Sequence, residues 1–177
     1  WRDVAVDPET RAVVITGEGR AFSAGGDLGM VQRMSGDYQR VAAMAAEAAD
    51  LVLRMVDCEL PIVSAINGPA VGAGLATALM ADISVIAEDT RITDGHLRLG
   101  VTAGDHAAII WPLLCGMAKA KYYLMLGDFI DGREAERIGL VSKCVPREEV
   151  LPTALHIATR LASGPQHAVR WTKRTLN

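Results

Sequence analysis

The segment at residues 67–74 (Asn-Gly-Pro-Ala-Val-Gly-Ala-Gly) has residue types and a spacing that could do chemistry. It follows an apolar, strand-like run at residues 61–66 and precedes an apolar, helix-like run at residues 75–81. Glycine and alanine let another group approach the backbone, and the first N–H groups of a helix have no carbonyl partner inside it. Such a turn binds negative charge, either a phosphate or an oxyanion that develops during a reaction. The alternative is a turn that only packs a helix tightly against a sheet.

Two nucleotide-binding patterns are excluded for this segment. Gly72 and Gly74 have the first spacing of a dinucleotide fingerprint, but Thr77 stands where its third glycine is required. A Walker loop is absent, because no Gly-Lys-Ser or Gly-Lys-Thr occurs in the chain. The turn therefore fits neither of these phosphate-binding patterns.

Another turn of the same kind lies upstream. In chain order it is the first glycine-rich turn, and the turn at residues 67–74 is the second. Residues 17–28 follow a strand-like run at residues 12–16, are rich in small residues, and place Asp27 in the first turn of an apparent helix. Two turns that each lead from a strand into a helix can point backbone N–H groups at the same atom. That arrangement is typical of a site that stabilises an oxyanion.

Four segments carry a resemblance to a known family. Residues 22–28 (Phe-Ser-Ala-Gly-Gly-Asp-Leu) and residues 61–74 resemble, in this order, the two glycine-rich motifs of the enoyl-CoA hydratase/isomerase (crotonase) family. Residues 82–87 look like the family's next strand, and residues 129–146 look like its later helix and strand. The resemblance implies an α/β fold, a spiral of β-β-α turns with helices packed outside, in one domain over residues 1–177. Family members usually extend further at both ends, so the chain resembles a truncated member.

The resemblance also implies which residues bind the substrate. The substrate would be an acyl-CoA thioester, with coenzyme A bound as part of the substrate and no further cofactor. The two backbone N–H donors to the thioester oxygen map to Gly26 and Ala73, and such a donor contributes about 3 kcal/mol to transition-state stabilisation. Ala24, Asp27 and Leu28 match the positions that line the adenine end of the coenzyme A site.

The positions of the family's two catalytic glutamates hold other residues. Ala76 matches the first and cannot transfer a proton, whereas His96 matches the second and belongs to the residue type best suited to acid–base work near neutral pH. The alternative for His96 is a hydrogen-bonded structural histidine at a strand end. Asp105 could orient His96, act as a base itself, or only cap the following helix. Asp94 is a further candidate that could equally close a local turn.

These residues predict an enzyme that stabilises a thioester enolate. The reaction would be hydration of an enoyl-CoA or migration of its double bond, and migration needs fewer catalytic groups. A His/Asp pair also suggests hydrolysis of a carbon–carbon bond in a β-keto or ring acyl-CoA, because some branches of the family use such a pair. The missing glutamates favour a third hypothesis, an acyl-CoA-binding subunit without catalysis.

Composition narrows the class of protein further. The net charge of −3 gives no basic field for nucleic acid, and no apolar run approaches the ~20 residues that span a bilayer, so no membrane partner is expected. The three cysteines are widely spaced, which is typical of reduced thiols in a cytoplasmic protein, and no metal-binding spacing occurs. Since 50% of the residues are hydrophobic, we expect a homo-oligomer. The resemblance implies that this homo-oligomer is a trimer or a dimer of trimers.

Local patterns predict the elements that must position these residues. Short apolar runs predict strands at residues 12–16, 62–66, 83–87, 91–93 and 141–145. Helices are predicted at residues 37–57, 72–81, 118–126, 133–138 and 148–163, and from residue 165 to the end. The alternation of strands and helices predicts an α/β domain.

Two of the predicted helices have a distinct face. The helix at residues 37–57 has one apolar stripe at three- and four-residue steps, made of Val41, Met44, Ala48, Leu51 and Met55. The last helix has three basic side chains, Arg170, Lys173 and Arg174. We expect the apolar stripe to be buried. We expect the basic side chains to be solvated, and the alternative is that they contact a phosphate of coenzyme A.

Overall fold

Strands and helices alternate along the chain, as predicted for an α/β protein. A computed structural model describes residues 4, 7–26, 29, 37–104 and 106–177. The strands are β1 Val13–Thr16, β2 Ile62–Ile66, β3 Ala70–Val71, β4 Ile83–Ala87, β5 Arg91–Thr93, β6 Ile130–Asp131 and β7 Lys143–Val145. The helices are α1 Tyr38–Val56, α2 Ala73–Leu79, α3 His106–Leu126, α4 Gly132–Arg137, α5 Val150–Ser163 and α6 Gln166–Leu176. Short 3₁₀ turns lie at His96–Leu99 and Arg147–Glu149.

The larger sheet is parallel and covered on both faces. Among the described residues its strands lie in the order β1-β2-β4-β7, with Val63 opposite Ile83. Every residue of β2 is buried, which explains why its sequence is a continuous apolar run rather than an alternating one. Helix α5 covers one face through Val150, Ala154 and Ala158, which recur every four residues. Helices α2 and α3 cover the other face.

The smaller sheet holds both glycine-rich turns. In the part of the chain that the structure describes, its strands lie in the order β3-β5-β6, and Ala70 of β3 lies opposite Ile92 of β5. Ser23 forms a single parallel bridge to Ala70. Because β3 leads almost directly into α2, this bridge holds the first glycine-rich turn beside the second.

Helix α1 is less buried than its apolar stripe predicts. The helix begins after Asp37, whose side chain accepts a hydrogen bond from the N–H of Arg40 at 3.2 Å, as expected of an N-cap. Met55 is the buried residue of the stripe, Met44 and Leu51 are partly buried, and Val41 and Ala48 are exposed. The reason is geometric: α1 joins the core at its C-terminal end, where Met55 packs with Leu60 and Ile62.

Helix α3 is divided at Gly116. This residue has φ 76° and ψ 157°, far from helical values and in a region that favours glycine. The helix predicted at residues 118–126 corresponds to the second half of α3. The first half packs against α2 and brings His106 and Trp111 towards the second glycine-rich turn.

Lys173 contradicts the predicted basic face of the last helix. Its side chain is only 5% exposed. Its ammonium donates to the Asp82 carboxylate at 2.8 Å and to the Leu60 carbonyl at 2.9 Å, and the same Asp82 oxygen accepts the N–H of Ile62 at 2.7 Å. A buried charge requires such partners. The ion pair therefore ties α6 to the start of β2.

Lys173→Met is expected to destabilise the protein by about 3 kcal/mol, because it leaves a partly buried Asp82 carboxylate without its cation. Urea unfolding followed by circular dichroism measures the loss. Arg174→Met is the matched control, since the exposed Arg174 only lies over the Trp171 ring, 5.3 Å from its centroid, a contact worth less than about 1 kcal/mol. Equal losses in the two variants would contradict this account of the ion pair.

Glu134 connects α3 to α4. Its carboxylate accepts hydrogen bonds from the Arg137 guanidinium at 2.7 Å and from the Tyr123 hydroxyl at 2.6 Å. The bonds from Arg137 and then from Tyr123 lower the pKa of Glu134 from 4.5 to about 2. Burial, followed by the hydrogen bond to Glu134, raises the pKa of Tyr123 to about 12. The neutral hydroxyl and the ionised carboxylate are thus the forms that stabilise the fold.

The lowered pKa of Glu134 predicts how acid weakens this connection. A carboxyl pKa that is lower in the folded state adds stability above its unfolded value, and this stability is lost as the pH falls from 4.5 towards 2. Glu134→Gln should therefore melt at a lower temperature than the unsubstituted protein at about pH 6, and the gap should narrow at about pH 3. A gap in melting temperature that does not change with pH would contradict the assignment.

Candidate active site

The two glycine-rich turns contact each other through backbone hydrogen bonds. The N–H groups of Phe22 and Ser23 both donate to the Pro69 carbonyl at 3.1 Å. In return, the N–H of Val71 donates to the Ser23 carbonyl at 3.1 Å. Segments about fifty residues apart in the sequence are therefore joined immediately before the two predicted donor positions, Gly26 and Ala73.

Asn67 joins the same two turns through its side chain. Its amide oxygen accepts the N–H of Gly17 at 3.2 Å, and its amide nitrogen donates to the carbonyls of Gly17 and Gly19 at 3.0 and 3.1 Å. The Arg147 guanidinium donates to the backbone carbonyl of Asn67 and, at 2.8 Å, to Asp89. Sequence reasoning missed this role of Asn67. The available signal was an amide side chain where a strand enters a glycine-rich turn.

Glycine is required where the turns approach most closely. A Cβ on Gly74 would lie well inside contact distance of the Ser23 Cβ and Oγ, and a Cβ on Gly68 would overlap the Arg20 carbonyl. Gly25 has φ +90°, and a Cβ there would lie 3.0 Å from the Val71 carbonyl oxygen. Tight packing, the alternative considered for these glycines, is therefore present, and it brings the two turns together.

Gly26 and Ala73 both lie at the exposed surface of this junction. Ala73 is the first residue of α2, so its N–H has no carbonyl partner within the helix. The preceding Gly72 has φ 54° and ψ −128° and provides no capping side chain. Within the residues that the structure describes, neither the Gly26 N–H nor the Ala73 N–H donates a hydrogen bond.

His96 lies on a tight turn that follows β5. Gly95 has φ 86°, which turns the chain back, and His96 then begins a 3₁₀ turn. Asp94 is 7% exposed, and its Oδ2 accepts both the His96 Nδ1–H at 2.8 Å and the His96 backbone N–H at 3.2 Å. Asp94 thus closes a local turn, as one hypothesis proposed, and also contacts the imidazole ring.

This turn packs against the residues that precede Ala73. The N–H of Gly72 donates to the Thr93 carbonyl at 3.3 Å. A Cβ on Gly72 would lie 3.4 Å from the Asp94 carbonyl oxygen, and a Cβ on Gly95 would lie 3.0 Å from Val71 Cγ1. Three segments therefore converge: the first glycine-rich turn, the start of α2, and the turn that holds His96.

A narrow recess lies beneath this junction. Its lining includes Gly72, Ala76, Asp94, His106 and Trp111, and it is too narrow to hold a water molecule. Ala76 is 7% exposed and presents only a methyl group there. His106 is only partly exposed, and its ring centroid lies 6.2 Å from that of His96.

Of the other predicted site residues, Ala24 is exposed and lies between Ser23 and the Gly25 turn. Asp27, Leu28 and Asp105 lie outside the described residues, so their predicted roles stay predictions.

A larger groove, of about 440 Å³, lies between the 3₁₀ turn at His96–Leu99 and the two halves of α3. Its lining includes Leu97, Val101, Pro112, Met117 and Leu124, and it contains none of the predicted oxyanion or catalytic residues that the structure describes. Met125, which also lines the groove, is 71% exposed, and Leu113, which follows Pro112, is 78% exposed. The groove is thus part of a wider apolar surface on α3.

No group of three or more His, Cys, Asp or Glu side chains in the described ranges could hold a metal ion. None of the helices described is long and apolar enough to cross a bilayer.

Comparison with known proteins gives a consistent set of relatives. A family model described as enoyl-CoA hydratase/isomerase matches residues 2–177. The chain is 35% identical over 179 residues to the probable enoyl-CoA hydratase EchA12 of Mycobacterium tuberculosis, covering 98% of this chain and 63% of that protein. It is 35% identical over 173 residues to the crotonyl-CoA hydratase of Syntrophomonas wolfei, covering 97% of this chain and 65% of that protein.

The structural comparison confirms the predicted fold. A crystal structure of an enoyl-CoA hydratase/isomerase from Mycobacterium paratuberculosis has a TM-score of 0.93 and 38% sequence identity. The match covers 99% of this chain and 70% of that one. The chain spans less than two thirds of the length of the two curated relatives described above, at 63% and 65%.

Proposed function

Because the chain belongs to the enoyl-CoA hydratase/isomerase family, we propose that it binds the thioester carbonyl of an acyl-CoA between the backbone N–H groups of Gly26 and Ala73. The observation that supports this most strongly is the junction of the two glycine-rich turns. Backbone hydrogen bonds, the Asn67 side chain and the contact between Ser23 and Gly74 hold the two turns in one arrangement.

The proposed chemistry is stabilisation of an enolate. When a thioester is deprotonated or attacked at its conjugated double bond, negative charge develops on the carbonyl oxygen. Donors that are already oriented stabilise this charge without reorganisation, and each contributes about 3 kcal/mol. Ala73 serves as well as glycine for this purpose, because the donor is the backbone N–H.

His96 is the proposed acid–base group. In hydration, its imidazole would take a proton from water as the oxygen adds to the β-carbon, and would return a proton to the α-carbon of the enolate. In double-bond migration, it would take a proton from the γ-carbon and return one to the α-carbon. Ala76 can assist neither step, since its side chain has no ionisable group.

An enoyl-CoA is therefore the proposed substrate, and hydration or double-bond migration is the proposed reaction. The relatives described above have names that refer to enoyl-CoA or crotonyl-CoA hydration or to isomerisation. They give no support to carbon–carbon hydrolysis or to a subunit that only binds acyl-CoA. The free thiols of Cys58, Cys115 and Cys144 support a cytoplasmic location as part of the same proposal.

Incubation with crotonyl-CoA in deuterated water, read by mass spectrometry, tests this function. Hydration yields a product heavier by one molecule of the solvent, and double-bond migration incorporates solvent deuterium without adding water. Either product supports the proposal. Absence of both, with acyl-CoA still bound in a calorimetric titration, would reject enoyl-CoA chemistry for this substrate and favour a binding role.

We also expect the protein to self-associate, as a trimer or a dimer of trimers. The exposed apolar side chains of α3, which include Ile109 at 65%, Leu113 at 78% and Met125 at 71%, support this expectation. Light scattering coupled to size exclusion measures the assembly mass. A mass equal to one chain would contradict it.

A further inference from the structure

Asp94, which the sequence offers as a further candidate or as a residue that closes a local turn, holds the His96 ring in a defined orientation. We propose that Asp94 is a positioning residue, which fixes the tautomer of His96 so that Nε2 is the ring nitrogen that exchanges protons with the substrate. This inference rests on the proposed acid–base function of His96. It adds to that function the group that determines the state of the ring.

The hydrogen-bond pattern determines the tautomer. The Asp94 Oδ2 lies 2.8 Å from His96 Nδ1 and 3.2 Å from the His96 backbone nitrogen. A carboxylate only accepts hydrogen bonds, so the ring nitrogen that faces it must carry the hydrogen. In a neutral imidazole the other nitrogen, Nε2, then has the lone pair that a general base needs.

The local backbone makes this arrangement rigid. The Asp94 carboxylate is 7% exposed, and the preceding Thr93 is 2% exposed at the end of β5. Gly95 has φ +86°, and a Cβ there would lie 3.0 Å from Val71 Cγ1. The same carboxylate oxygen holds both the backbone and the ring of His96, so the side chain cannot rotate without breaking a bond to a buried group.

The carboxylate also stabilises the charge that the reaction places on the ring. When Nε2 takes a proton, from the γ-carbon or from water, the imidazole becomes a cation. In migration, the electrons of the broken C–H bond pass into the enolate. In hydration, the electrons of the broken O–H bond stay on the oxygen, an oxygen lone pair forms the bond to the β-carbon, and the electrons of the carbon–carbon double bond pass into the enolate. Asp94 stays ionised beside the cation, and Nε2 then delivers a proton to the α-carbon. No proton passes to Asp94, and the ring returns to its starting tautomer.

The experiment measures tautomer and turnover in the same variants. Long-range ¹⁵N–¹H spectra of ¹⁵N-histidine-labelled protein at alkaline pH report which nitrogen of each neutral ring carries the hydrogen, and His96→Gln assigns the signal. We expect Nδ1–H for His96 in the unsubstituted protein. In Asp94→Asn we expect a shift towards Nε2–H, because the new amide can donate to Nδ1. The kcat should fall about 100-fold or more, with little change in KM.

Asp128→Asn is the matched control, because Asp128 is an exposed acidic residue, and its kcat and His96 spectrum should be unchanged. An Nε2–H signal from unsubstituted His96, or an Asp94→Asn variant that keeps both the Nδ1–H signal and its kcat, would overturn the inference. If the unsubstituted protein has no turnover with any enoyl-CoA, the proposed function fails. The spectra still decide whether Asp94 fixes the ring.

Discussion

His96→Ala is expected to lower kcat with an enoyl-CoA by about 10²- to 10⁴-fold, the range that a positioned general acid–base group contributes. Binding of the acyl-CoA should change little, since the proposed thioester contacts are backbone N–H groups of Gly26 and Ala73. The effect should therefore lie in kcat rather than in KM. Steady-state kinetics measure kcat, and calorimetric titration with the same acyl-CoA measures the binding affinity.

His156→Ala is the matched control for this prediction. His156 is an exposed histidine on α5, and α5 covers the larger sheet through other residues. Its substitution should leave kcat equal, within experimental error, to that of the unsubstituted protein. If His96→Ala also retained full turnover, His96 would be a structural histidine and another group would have to transfer the proton.

Gly74→Ala should lower kcat by about 10²- to 10³-fold, the cost of losing one oxyanion donor. The added methyl would occupy the space of the Ser23 Cβ and Oγ. The first glycine-rich turn must then move away from α2, which separates the Gly26 N–H from the Ala73 N–H. A displacement of about 1 Å is enough for a loss of this size.

Gly164→Ala serves as the control for the change of glycine to alanine. A Cβ on Gly164 would lie 3.4 Å from the Arg160 carbonyl oxygen, an ordinary contact, and the residue caps α5 away from both turns. Circular dichroism melting shows whether each variant is folded. A folded Gly74→Ala variant with unchanged kcat would mean that the close packing of the two turns has no role in catalysis.

Elements with a strong local pattern could be predicted from the sequence. The strands β2 and β4 lie at their predicted bounds, because buried parallel strands are short, continuous apolar runs. The strand β5 also lies at its predicted bounds. The two-residue strands β3 and β6 could not be predicted, since so short a segment carries no periodicity. They belong to the smaller sheet, so the hydrogen bonds that join the two glycine-rich turns could not be predicted from local pattern.

Interactions between residues far apart in the sequence could not be predicted from local pattern either. The Asn67 side chain binds residues about fifty positions earlier in the chain, and the ammonium of Lys173 binds a carboxylate about ninety positions earlier. Most lysine side chains in proteins are solvated, so the residue type alone predicts an exposed side chain for Lys173, which is wrong. The contact between Asp94 and His96 spans only two residues, yet it depends on the turn at Gly95.

The central claim is that two backbone N–H groups polarise a thioester carbonyl, and infrared difference spectroscopy tests it most directly. The ligand is an unreactive saturated acyl-CoA with ¹³C at the thioester carbonyl, compared free and bound. Two hydrogen bonds to the oxygen weaken the carbonyl bond, so its stretching band should move to lower frequency on binding, and the shift should shrink in Gly74→Ala. A bound carbonyl with the same frequency as the free ligand in water would contradict the proposed oxyanion site at Gly26 and Ala73.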